Sequence, residues 1–123
     1  MGGREEDERN LDRYRSQYRE LGQRFQNIGF IWQGSVQVRW LTCGRPACPC
    51  ATNPRARHGP YVYWTTKEKG KSVAKLLHGS QREILTEWVG NRQKLEAILV
   101  EMGRISRKAY KVALRERERE KKT

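Results

Sequence analysis

The sequence is short of several residue types, and each shortage narrows what the protein can be. It contains three cysteines, two histidines and four prolines among 123 residues. No apolar run approaches the roughly 20 residues that a transmembrane helix needs, and the opening residues lack the apolar core of a secretory signal peptide. We therefore expect one domain, residues 1–123, in the cytoplasm of a cell or made there by a virus, with its thiols reduced and no membrane partner.

Acidic residues are scarce in the middle of the chain, which argues against several classes of enzyme. Residues 31–79 carry one acidic residue, Glu68. Metal-dependent nucleases need clustered carboxylates, and zinc deaminases need H-x-E together with P-C-x-x-C. The sequence has neither pattern, and it has no phosphate loop or Gly-rich dinucleotide fingerprint. We predict a protein that is not an enzyme, with no catalytic residues.

Positive charge is abundant and unevenly distributed. The formal net charge is +12; residues 1–30 are neutral, residues 31–79 have a net charge of +7, and residues 80–123 have +5. An excess of this size favours a polyanionic partner without specifying a fold.

All three cysteines lie in one short segment. Cys43, Cys48 and Cys50 are followed by His58, which gives the spacing C-x4-C-x-C-x7-H. Short clusters of this kind usually bind zinc, and three thiolates with one imidazole complete a tetrahedral structural site. A disulfide, an iron–sulfur cluster and a reactive thiol are the weaker alternatives. His78 is the other candidate for the fourth Zn²⁺ ligand.

The flanking segments predict an α+β fold. Residues 1–30 contain apolar side chains at gaps of three and four, typical of a packing helix: Leu11, Tyr14, Tyr18, Leu21, Phe25 and Ile28. Residues 31–79 alternate as a three-stranded antiparallel sheet in which the zinc loop joins the first two strands. We expect Val36, Val38, Trp40, Ala74 and Leu76 to form the buried face, and Gln37, Arg39, Lys71 and Lys75 the open one.

Residues 80–123 predict a long C-terminal helix, with apolar positions from Ile84 to Val112 and Asn91 at one seam position. The helix is longer than a small sheet can cover, so we expect the N-terminal helix to pair with part of it. The remainder, residues 102–114, is expected to pair with a second subunit or to fray. The Arg/Glu-rich tail, residues 115–122, is typical of a solvated helix end.

The basic residues around the cysteines are the candidate contacts for nucleic acid. Arginines suit phosphate oxygens and guanine edges, lysines add diffuse attraction, and aromatic rings can stack on unpaired bases. The candidates are Arg39, Arg45, Arg55, Arg57, Lys67, Lys69, Lys71 and Lys75. Trp40 and Trp64 are expected in the core.

The segments GSVQVRWLTCGRPACPCA and HGPYVYW, with the Lys-rich hairpin and long helix that follow, resemble a family of small prokaryotic proteins of unassigned function. Its members show a CGxPxCxC loop followed by HGPYYY, and some are linked to mobile elements. The resemblance implies Cys43, Cys48, Cys50 and His58 as a set. The insert ATNPRAR before His58 departs from the family pattern.

Composition and motifs together favour a non-catalytic, zinc-stabilised nucleic-acid-binding protein, with duplex DNA preferred over RNA. Two alternatives stay open. One is a protein-interaction module, dimerising through the C-terminal helix or gripping a larger protein partner, with a purely structural zinc. The other is a binder of RNA or single strands.

Overall fold

The computed structural model describes residues 2–122 and has the predicted α+β architecture. The elements are α1 (Gly2–Arg24), β1 (Ser35–Leu41), β2 (His58–Glu68), β3 (Lys71–Leu76) and α2 (Ser80–Lys122), with short 3₁₀ turns at Phe25–Asn27, Pro49–Ala51 and Pro54–Ala56. The loop that carries the cysteines joins β1 to β2, as the sequence predicts. Within residues 2–122, no helix is long and apolar enough to cross a membrane.

The chain divides into two compact units. Residues 2–29 and 93–122 form a helical unit, and residues 30–92 form a unit built on the sheet. Helix α2 begins in the sheet unit and ends in the helical unit. That all 123 residues form a single domain stays a prediction.

In the helical unit, α1 runs antiparallel to the C-terminal part of α2. Leu11, Leu21 and Val112 are buried, and a groove between the helices is lined by Tyr14, Tyr18, Ile105 and Ala109. Residues 102–114 were not predicted to pair with α1, but Ile105 and Ala109 of this segment line the groove against it; that the segment pairs with a second subunit stays a prediction. Periodicity gave the apolar face of each helix but not the axial offset between the two helices.

The sheet has the strand order β1-β2-β3, and both pairings are antiparallel. The β2–β3 hairpin closes through Lys69 and Gly70, whose φ angles of 50° and 80° are both positive. Two successive positive φ values characterise the tight type I′ turn, whose twist suits a hairpin. This turn pairs Glu68 with Lys71 and so fixes the register of β3.

The register corrects the predicted faces of the sheet. Val36, Trp64 and Lys75 are cross-strand neighbours, whereas Tyr63 is paired with Gln37 on one side and Leu76 on the other. Cross-strand partners share a face of the sheet. Ala74 and Leu76 therefore lie on the face of Gln37 and Arg39, and Lys71 and Lys75 lie on the face of Val36. The alternation within β3 was predicted correctly, but its phase relative to β1 was not.

Aromatic rings cover one end of the face that carries Val36. The Trp32 ring lies between those of Trp64 and Trp88, with centroids 6.0 and 6.2 Å away. Trp64 Nε1 also donates a hydrogen bond to the Gln33 carbonyl at 2.7 Å. Leu77, Val89 and Cys50 are the most deeply buried residues of this unit.

Val38 and Trp40, farther along β1 on the same face, are 61% and 53% exposed. The prediction that they are core residues is therefore wrong. Trp64, which is half-buried, packs against Trp32 and is closer to its predicted role.

Candidate metal centre

The fold brings Cys43, Cys48, Cys50 and His58 together in one cluster. Each offers one donor atom, and the four atoms lie within 4.8 Å of one another. Cys43 lies two residues after β1. Cys48 directly precedes the Pro49–Ala51 turn, Cys50 lies within it, and His58 is the first residue of β2. This group could hold a metal ion.

Two donor–donor separations in the group match those of a tetrahedral ion. With Zn–S near 2.3 Å and Zn–N near 2.0 Å, a tetrahedron places two sulfurs about 3.8 Å apart, and sulfur and nitrogen about 3.5 Å apart. Cys43 Sγ and Cys50 Sγ are separated by 3.6 Å, and Cys48 Sγ and His58 Nε2 by 3.4 Å. The cysteines form no disulfide.

Local turns hold the donors in this arrangement. The Cys48 amide donates to the Arg45 carbonyl at 3.1 Å, which folds the chain back between the first two cysteines. Gly44, with φ of 79°, supplies the left-handed step after Cys43. Farther along, Asn53 Oδ1 accepts from the Arg55 amide at 3.0 Å and caps the second 3₁₀ turn. The loop therefore has hydrogen bonds of its own in addition to any metal.

Hydrogen bonds separate the acidities of two thiols. The pKa of Cys48 is lowered to about 6, first by a backbone hydrogen bond from Cys50 and then by the His58 side chain and the neighbouring sulfurs. The Cys43 amide donates to Cys50 Sγ at 3.4 Å. This bond lowers the pKa of Cys50, but burial and the two other sulfurs outweigh it and leave that pKa raised. Of these two thiols, Cys48 is the better prepared to bind a cation as thiolate.

His78 lies elsewhere, at the junction between β3 and α2. Its amide donates to Gln81 Oε1 at 3.0 Å, and it is not part of the metal-binding group. Of the two histidines, the fold brings His58 to the cysteines.

The three arginines of the loop lie between the candidate ligands in the sequence. Arg45, Arg55 and Arg57 are exposed, and Arg57 directly precedes His58. Within residues 2–122, their guanidinium groups make no ion pair with a carboxylate. They are available to an external anion.

The other predicted basic contacts lie along the sheet or at its far end. Arg39 is half-buried: it donates to Gln37 Oε1 at 2.8 and 3.2 Å, and its guanidinium carbon lies 4.6 Å from the Tyr63 ring centroid. Lys67, Lys69 and Lys71 cluster at the β2–β3 turn, and Lys75 lies beside Trp64. The basic residues therefore form an arginine group at the metal end and a lysine group at the hairpin end.

A model of the family described as a domain of unknown function (DUF6788) matches residues 5–84. The chain belongs to this family. No match was found among curated proteins or solved structures. The matched part of this DUF6788 member includes most of α1, the complete sheet and the cysteine loop.

Sequence reasoning missed two features of this DUF6788 protein. One is the exposure of Val38 and Trp40 next to the metal loop, which alternation alone does not reveal. The other is buried Asp7, which pairs with Arg119 at 2.8 Å and with Arg115 at 3.1 Å. A sequence signal for the Asp7 ion pairs was present. Asp7 lies one turn before Leu11, on the face of α1 that packs against α2, and the C-terminal end of α2 is basic.

Proposed function

We propose that this protein is a non-catalytic nucleic-acid-binding protein whose Cys3His group holds a structural zinc ion. The observation that carries the proposal is a loop that brings four donor atoms within 4.8 Å of one another and bears three exposed arginines that form no ion pair with a carboxylate among residues 2–122. Zinc would fix the positions of these arginines before the ligand arrives, which reduces the entropy lost on binding.

The choice of zinc follows from the donors. Three thiolates and an imidazole suit zinc better than magnesium or calcium, which prefer oxygen ligands. A set of four protein donors leaves no open coordination position for substrate or water. The site is therefore proposed to stabilise structure and not to catalyse.

The choice of nucleic acid follows from charge. Residues 31–79 carry a net charge of +7, and arginine forks bind phosphate in bidentate geometry. DNA is proposed ahead of RNA because the sequence resembles proteins linked to mobile elements. Action in a reducing compartment suits the unpaired thiols.

The test combines metal analysis with binding. We expect one zinc ion per chain by elemental analysis, and binding of a duplex oligonucleotide that weakens steeply as salt rises. Replacement of Arg45, Arg55 and Arg57 by Gln is expected to abolish retention on DNA at moderate salt. The matched control replaces Arg107, Lys108 and Lys111, exposed cations of α2, and removes the same charge.

If the loop variant and the control bind DNA equally well, the loop is not the contact surface. If the wild-type protein binds neither DNA nor RNA at low salt, the proposed function is wrong. Removal of zinc by a chelator is expected to weaken binding as strongly as the triple substitution, because unfixed arginines must be ordered at the moment of binding.

A second candidate function is oligomerisation through α2. Leu99, Val100, Tyr110 and Leu114 are exposed. Leu99, Tyr110 and Leu114 lie on one side of the helix, separate from the apolar residues that pack on α1. Two copies could bury these side chains against each other. Sedimentation at several concentrations tests this: a dimer that Leu99→Glu with Leu114→Glu converts to monomer, and that is indifferent to nucleic acid, would favour this function over the first.

A further inference from the structure

Trp40 is an exposed tryptophan at the metal end of the sheet. It lies on β1, an edge strand of the sheet, three residues before Cys43, and more than half of its surface is open to solvent. Val38, two residues earlier on the same face, is also exposed. Together they form an apolar patch beside the most basic part of the chain.

The indole is held in place from behind. The register of β1 and β2 shifts by one residue between Arg39 and Leu41, and Gly59 lies at this irregularity. A Cβ built on Gly59 would lie 3.1 Å from Trp40 Cε3 and 2.8 Å from the Arg39 carbonyl oxygen. The ring therefore packs against the backbone of Gly59, the residue that follows His58. The same short stretch of β2 thus positions both the Trp40 ring and the candidate ligand His58.

The surroundings of the patch favour a polyanion that also carries flat apolar groups. Arg57 is two residues from Gly59, and the only acidic residue of residues 31–79, Glu68, lies at the far end of β2. An acidic protein segment would satisfy the charge but would not need an anchored ring. A nucleotide satisfies both, since its phosphate suits the arginines and its base suits the indole.

We propose that Trp40 is a stacking platform for an unpaired base, so that the preferred ligand has a single-stranded segment at the metal loop. This inference rests on the proposed function and specifies its ligand. In an intact duplex every base is already stacked on its neighbours, and only an unpaired base can offer a face to Trp40 without the cost of unstacking. Val38 extends the apolar surface on which the sugar or the next base lies.

The experiment compares variants on three matched probes: a 12-nucleotide single-stranded DNA, its RNA counterpart and the 12-base-pair duplex, each followed by fluorescence anisotropy in the zinc-loaded protein. We expect Trp40→Ala to weaken single-strand binding by about 5- to 150-fold, the range measured for removal of one stacking contact, and duplex binding by less than about 3-fold. Trp40→Phe keeps a ring and is expected to retain most of the affinity. Tyr110→Ala removes an aromatic residue that is 65% exposed on α2 and serves as the control.

Emission provides a second readout. Single-strand binding is expected to quench tryptophan fluorescence in the wild type, and this quenching is expected to be lost in Trp40→Phe, although that variant still binds. Unchanged single-strand affinity in Trp40→Ala, or equal losses on single strand and duplex, would overturn the inference and leave the arginine-loop function intact. Absence of binding to all three probes by the wild type would instead remove the proposed function and this inference with it.

Discussion

At the scale of single residues, the candidate metal centre consists of one histidine and three thiols held by short turns. The Cys43–Cys50 and Cys48–His58 donor pairs are already close to tetrahedral separations, and all four donor atoms lie within 4.8 Å of one another. Each ligand should therefore contribute strongly to metal affinity, because each supplies one of the four bonds to a tetrahedral ion and an incomplete donor set binds the ion more weakly.

His58→Ala is expected to lower zinc affinity by at least about 100-fold, since even residues behind metal ligands contribute 10- to 100-fold. His78→Ala is the matched control and should bind zinc like the wild type, because His78 lies outside the cluster. Competition with a chromophoric chelator measures both. If only the His78 variant loses zinc, the fourth ligand is His78 and the assignment to His58 is wrong.

Gly34 is a second residue on which the sheet unit depends. Its φ is 99°, and an added Cβ would lie 2.4 Å from the Thr65 carbonyl oxygen and 2.6 Å from Trp64 Nε1. Gly34→Ala is expected to lower the free energy of unfolding by about 2–4 kcal/mol, from backbone strain and displacement of the Trp64 hydrogen bond.

Gly70→Ala separates the two causes, because Gly70 has φ of 80° but open space around it. Gly70→Ala should lower the free energy of unfolding only by the penalty for a left-handed backbone, about 1–2 kcal/mol. Urea unfolding of the two variants gives the comparison, and equal losses would show that the contacts at Gly34 are unimportant.

At the scale of elements, the pairing of α1 with α2 combines an apolar seam with a charged clasp. Asp7 is 5% exposed; it accepts hydrogen bonds from Arg115 and forms an ion pair with Arg119 near the end of α2. The hydrogen bond from Arg115 is the main reason that the pKa of Asp7 is lowered; burial opposes this effect, and Arg119 adds to it. The tail, which the sequence suggested is merely solvated, therefore contributes residues to the helical unit.

The lowered pKa gives a stability prediction with a definite sign. The carboxylate contributes its full stabilisation above the unfolded-state pKa near 3.8, and this contribution is lost as pH falls through the lower folded-state pKa. Asp7→Asn should therefore lower the unfolding midpoint at pH 7 but cease to differ from the wild type in strong acid.

Asp12→Asn is the matched control, because Asp12 pairs with Arg15 on the exposed surface of the same helix. Exposed pairs contribute little, so thermal unfolding of this variant should follow the wild type. A midpoint difference for Asp7→Asn that persists unchanged to pH 2 would mean that its ion pairs are not the cause.

At the scale of the whole molecule, charge is arranged at the two ends of the sheet. The arginine group precedes β2, and the lysine group lies around the β2–β3 turn at the other end of that strand, so the two groups are separated by roughly 33 Å at about 3.3 Å per residue. One polyanion of about 10 base pairs has the length to reach both groups.

This arrangement predicts a length dependence. Replacement of Lys67, Lys69 and Lys71 by Gln should weaken binding of a 16-base-pair duplex and reduce the salt slope by about 3, but leave a 6-base-pair duplex nearly unaffected. The arginine variant should weaken both. Titrations at several salt concentrations provide the slopes, and a lysine variant that weakens both lengths equally would argue against a ligand that spans the sheet.

The sequence by itself determined the elements and the ligand set. Apolar gaps of three and four residues predicted both helices, alternation predicted three strands, and the spacing of three cysteines and a histidine predicted the cluster. These patterns are local: the period of a helix or strand and the reach of a short chelating loop depend on neighbouring residues alone.

The tertiary structure decided how these local elements meet. Alternation in β3 divides its residues into two sets, but the Lys69–Gly70 turn and the β1–β2 register together fix which set joins Val36, since a shift of one residue reverses every side chain. Exposure of Trp40 depends on which side chains cover each part of the sheet face, and burial of Asp7 depends on the axial offset of two helices. These are relations between segments distant in sequence, and no local periodicity encodes them.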